Sequence, residues 1–169
     1  MTSFDASTDR DANRVPLVGE YPFRTKKTIT FAGATTDAWG DDGGALDGGA
    51  IFTVTGVVQV KLIGEVTTSL AGGAIIEVGI AGDTAIFMPQ ETDTNLDAGH
   101  IWLNEATPAA FYIVGEENAA IDNLPEYLLN GQDIILTVTN SDNTDSGVID
   151  FFALWKPISD DGMVVASSS

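Results

Sequence analysis

The residues that could do chemistry in this chain are carboxylates. There are 25 Asp and Glu against seven Lys and Arg, with one His and no Cys. The single His, His100, stands in a Gly-His-Ile run, and the sequence contains no Gly-x-Ser-x-Gly elbow to offer it a nucleophile. A lone His reads as a packing or surface residue, and His-rich or thiolate metal sites and disulfides are excluded. Glu116-Glu117, Asp41-Asp42 and Asp160-Asp161 supply the carboxylate pairs a glycosidase would need. Adjacent acids on a strand point to opposite faces, however, so these pairs do not converge, and no enzyme is expected. Two loops set oxygen ligands beside glycine or each other: 41–47, with Asp41, Asp42 and Asp47, and 142–145. Calcium suits such donors, yet neither loop has EF-hand spacing, and turns use the same residues. The expectation is no cofactor, with calcium at Asp41, Asp42 and Asp47 as the one metal these residues would suit. Trp39 could stack on a sugar beside Asp41 and Asp42. The alternative is that Trp39 and Trp102 cap the core or a subunit contact.

Alternation of period two dominates the elements that would carry these residues. It predicts strands over 23–31, 50–63, 74–80, 84–88, 101–103, 109–114, 133–139 and 148–155. Gly56 interrupts the second of these and marks a bulge or sandwich corner. Pro89 is expected to stop the fourth. Asn123, Pro125 and Glu126 fit the start of one short helix that ends at Asn130-Gly131. The stretch 131–157 reads as a β-hairpin with its turn at 140–146. Both faces of 148–155 are largely apolar, so that strand should be covered on both sides, partly by another subunit. The expected fold is all-β: an antiparallel β-sandwich, jelly-roll-like, of about eight strands. Residues 1–22 read as an extended arm that orders against a partner, or as a disordered tail; 23–159 form the sandwich, and 160–169 a flexible tail.

The net charge of −18 is uneven. Residues 1–27 hold five bases and four acids, whereas 28–169 hold two bases and 21 acids. A body this acidic repels nucleic acid and anionic membrane, and no apolar run approaches bilayer length. The N-terminal stretch also lacks the basic and apolar blocks of a signal peptide. The arm then reads as a docking element, with Arg10, Arg14, Leu17, Tyr21 and Phe23 as its contacts. Trp102, Phe151 and Trp155 are the residues for subunit or core packing.

The runs Gly-Gln-Asp-Ile-Ile-Leu-Thr-Val-Thr at 131–139 and Gly-Val-Ile-Asp-Phe-Phe-Ala-Leu-Trp-Lys-Pro at 147–157 resemble the C-terminal strands of tailed-bacteriophage capsid decoration, or cement, proteins. The resemblance covers about the last quarter of the chain; the remainder agrees in style. It implies a homotrimer on the outer capsid surface of the virion, bound to the major capsid protein through its arms and stabilising the shell without catalysis. A tail or baseplate receptor-binding module that recognises carbohydrate is the alternative.

Overall fold

The computed structural model describes residues 21–104 and 124–169. Ten strands are described: β1 (Phe23–Phe31), β2 (Gly49–Thr55), β3 (Val57–Ala71), β4 (Ile75–Ile80), β5 (Asp83–Thr92), β6 (Ile101–Trp102), β7 (Tyr127–Asn130), β8 (Ile134–Thr139), β9 (Ser146–Pro157) and β10 (Met163–Ala166). A single 3-10 turn at Asp93–Asn95 follows β5. The strands form two five-stranded antiparallel sheets. One runs β1-β9-β3-β6, with β7 also on β3; the other runs β10-β2-β8-β4-β5. The alternation in β1, β8 and β9 puts Ile29, Leu136 and Phe151 into one core shared by the two sheets, each fully buried. Burying a side chain of this size contributes about 1.5–3 kcal/mol. The molecule is therefore sandwich-like, as expected.

Pairing is nested from the chain's ends toward its middle. β1 pairs β9, β2 pairs β8, β3 pairs β7 and β4 pairs β5. The sheets are completed by β9 on β3 and β8 on β4. β6 and β7 share one edge of β3. Trp102 lies opposite Gly64, while Tyr127 to Asn130 lie opposite Val60 to Val57. The two thus act as one interrupted strand. The interruption takes in 105–123, so the strand expected at 109–114 and the Asn123 cap lie outside the described residues.

Gly56 is the corner that the sequence marked. Its φ of +60° lets the chain leave β2 in one sheet and enter β3 in the other. A Cβ there would also lie 2.4 Å from Asp161 Oδ1.

Several expectations are corrected. β8 and β9 are not a hairpin: they lie in opposite sheets, and loop 140–145 crosses between them. β9 finds longer ladders with β1 and β3, while β8 is held between β2 and β4. β9 packs one face into the core, while Val148, Phe152 and Leu154 on its other face are half-buried. The helix expected from Asn123 is absent over the described part, where Tyr127–Asn130 is a strand. The open edge of β3 offers backbone partners along its length, and such tertiary pairing overrides a local cap signal. Pro89 does not end β5, which continues to Thr92. β5 is an edge strand with a register shift between Ile76/Glu91 and Val78/Met88, a place where a missing N–H is tolerated. Residues 160–169 are not a loose tail: β10 pairs β2 and buries Val164.

Candidate functional site

Two regions gather the chemistry-bearing side chains. The first joins the two acidic loops that the sequence treats separately. The Asp42 N–H donates to Asn143 Oδ1 at 2.9 Å, and the Asp42 carboxylate accepts the Ser141 N–H at 2.6 Å, across 101 and 99 residues of sequence. Backbone bonds complete the staple: Thr144 N–H to the Gly40 carbonyl and Gly33 N–H to the Thr144 carbonyl, both 2.9 Å. Gly40 permits this approach. Its φ is +96°, and a Cβ would lie 2.3 Å from the Thr144 carbonyl oxygen.

The carboxylates here serve the backbone. Asp47 accepts the Val138 N–H at 2.8 Å through Oδ1 and the Gly43 N–H at 3.0 Å through Oδ2. Asp41 accepts the Asp37 N–H at 2.8 Å, and Asp37 accepts the Ala45 N–H at 2.9 Å. The calcium candidates Asp41, Asp42 and Asp47 are thus turned toward amide hydrogens. Among the described residues no group of three or more His, Cys, Asp or Glu side chains is arranged to hold a metal ion. Trp39 is not an exposed platform. It keeps 8% of its surface and joins the core, its ring against Gly49. His100 braces its own turn, its Nδ1 lying 3.2 Å from both the Asp97 amide and the Asn95 carbonyl.

The second region is the outer face of the β1-β9-β3 sheet. Residues directly opposite in a sheet project to the same side. Register therefore aligns Arg24, Leu154 and Lys61 in one row, Lys26, Phe152 and Ile63 in the next, and Lys156, Gln59 and Leu128 in a third. Four of the five bases among the described residues stand on this face. The fifth, Lys27, reaches the C-terminal segment, where Nζ donates to the Ser167 carbonyl at 3.0 Å. The Arg24 guanidinium lies 5.4 Å from the centre of the Phe152 ring and the Lys26 ammonium 5.5 Å from it. These contacts, with the aliphatic stems, half-bury Phe152 on the outer side of β9.

Tyr21 lies on the same face. Its ring is 4.7 Å from Lys61 Nζ and 5.4 Å from Lys156 Nζ, and its hydroxyl donates to Glu126. Glu126 also lies 3.7 Å from Lys61. Toward the far end of the face Asp150 pairs with Lys26 at 2.7 Å and accepts a hydrogen bond from Thr28. Burial pushes the Asp150 carboxyl up. The hydrogen bonds from Lys26 and Thr28 and the Lys26 charge outweigh it, so its pKa lies below the ordinary value.

Of the expected docking residues, Arg10, Arg14 and Leu17 lie outside the described residues. Tyr21 is on the basic face. Phe23 is the first residue of β1 and stacks on Trp155 with ring centres 4.6 Å apart. The Trp155 Nε1–H donates to Thr25 Oγ1 at 3.0 Å. Trp102 and Phe151 are fully buried, with ring centres 6.3 Å apart in the core. Lys61, Lys156 and Leu128 are the residues of this face that sequence reasoning missed. The β1 alternation that exposes Arg24 and Lys26 was visible, but their neighbours are assigned only by strand register. No family model, curated protein or solved structure matches the chain.

Proposed function

We propose that the chain is a structural protein of a tailed-phage virion: a jelly-roll decoration protein that binds the major capsid protein on the outer capsid surface, as a homotrimer, and stabilises the shell by binding alone. The observation that carries this reading is the nested pairing of β1 with β9, β2 with β8, β3 with β7 and β4 with β5. A long antiparallel hairpin rolled into two sheets produces that order, and the jelly roll is an architecture of viral capsid domains. A charge of −18 also suits a protein that coats a particle in many copies, because it keeps coated particles from adhering to one another and to nucleic acid or membrane. The carbohydrate-binding alternative loses support, since Trp39, its stacking residue, is buried.

The test is composition and imaging of purified virions of the virus that encodes the chain. The reading expects the chain among the structural proteins, as knobs on the head surface, with shells lacking it opening at lower temperature. Its absence from mature particles, its location in the tail, or specific binding to a glycan array would overturn the reading.

A further inference from the structure

We propose that the outer face of the β1-β9-β3 sheet is the surface on which the chain seats on its shell, and that the shell presents carboxylates around an apolar contact. The inference rests on the shell-binding reading above and adds to it which face docks and what chemistry receives it. Two independent observations point there. The first is charge: Arg24, Lys26, Lys61 and Lys156 stand on one sheet face of a chain whose net charge is −18. They border half-buried Ile63, Phe152 and Leu154 and the two-thirds-exposed Leu128. A basic rim around apolar side chains complements an acidic rim around the same. Asp150 and Glu126, each held to one of these lysines, and exposed Glu65, which the register sets opposite Asp150, balance three of the four charges, on a face that stays net positive. The second is continuity. Tyr21, the first described residue, lies over Lys61 and Lys156, so the point where residues 1–20 join the described chain is on this face. An arm and a face that meet at one point engage the same partner surface without crossing the sandwich.

The experiment measures binding of the full chain to shells of its own virus stripped of this protein, with two charge-matched double variants. Arg24→Gln with Lys61→Gln removes two positive charges from the face. Thr55→Glu with Val165→Glu adds two negative charges to exposed positions on the other sheet. Leu128→Asp probes the apolar part of the face. Circular dichroism checks that each variant folds. The face variants are expected to bind at least about tenfold more weakly, as loss of interface anchors does. The other-sheet variant should stay within about twofold, and wild-type affinity should fall as salt rises. Equal losses in both double variants would reduce the effect to net charge and overturn the proposal. So would full binding by the face variants, or affinity indifferent to salt. Should the face variants lose self-association in sedimentation yet bind shells normally, the face belongs between copies and the proposal fails. Failure of the wild-type chain to bind shells at all is a different outcome, which removes the shell-binding reading itself.

Discussion

The acidic double loop and the outer face of the β1-β9-β3 sheet use charge in opposite ways. In the loops Asp37, Asp41, Asp42 and Asp47 accept hydrogen bonds from backbone amides and fix the path of the chain. On the sheet Arg24 and Lys26 lie across Phe152, and Lys61 and Lys156 flank Tyr21, with their charges at the surface. The conspicuous acids of the sequence are thus architectural, and the scarce bases are the side chains presented to the outside. Substitutions in the loops should cost stability, whereas neutralising Arg24 on the sheet face should cost binding and leave the fold alone.

The largest effect is expected at Gly40. Gly40→Ala forces a Cβ against the Thr144 carbonyl in a left-handed backbone conformation. It should destabilise by more than about 3 kcal/mol in urea melts. A cost under about 1 kcal/mol would mean that the two loops are not stapled as described. Next is Asp47→Ala, which leaves the Val138 and Gly43 amides without their acceptor. A loss of about 1–3 kcal/mol is expected in the same assay, and it should be unaffected by chelator. Stabilisation of the wild type by calcium, lost in this variant, would instead make the carboxylate a ligand.

The sandwich was legible where its signals are local. The alternation of 23–31 gave β1 with its bounds, and Gly56 marked the corner between β2 and β3 because only a backbone free of Cβ turns there at low cost. The pairing of β8 and β9 was not legible. Two alternating strands joined by a short polar loop look alike whether they pair with each other or cross between sheets, and the choice is made by β1, β3, β2 and β4. β7 was misread because its partner, β3, lies some seventy residues earlier. The candidate regions divide in the same way. Each acidic loop could be seen, but their union through Asp42 and Asn143 could not. Arg24 and Lys26 could be placed on one face, while Lys61 and Lys156 joined them only through register.

A smaller effect separates the two ends of the basic face. Asp150→Asn removes the carboxylate that Lys26 and Thr28 hold. Because the folded-state pKa is depressed, this carboxylate stabilises the fold above its ordinary value of 3.8 and ceases to do so as pH falls through the folded value. Thermal melts should show the wild type about 1 kcal/mol more stable than the variant at neutral pH, the gap closing as pH falls below 3.8. A gap constant over that range would contradict the assignment. The smallest stability effect is predicted for Arg24→Gln, within about 0.5 kcal/mol, since its charge is exposed and its stem is largely retained. A large loss would mean that the guanidinium supports the sheet and is not held out for a partner.

The most direct test of the central claim is imaging of intact particles at a resolution that traces strands. The account predicts this chain on the outer surface of the head, the β1-β9-β3 face against the shell and the β10-β2-β8-β4-β5 sheet turned outward. A chain found elsewhere in the particle, or seated through the opposite sheet, would contradict it.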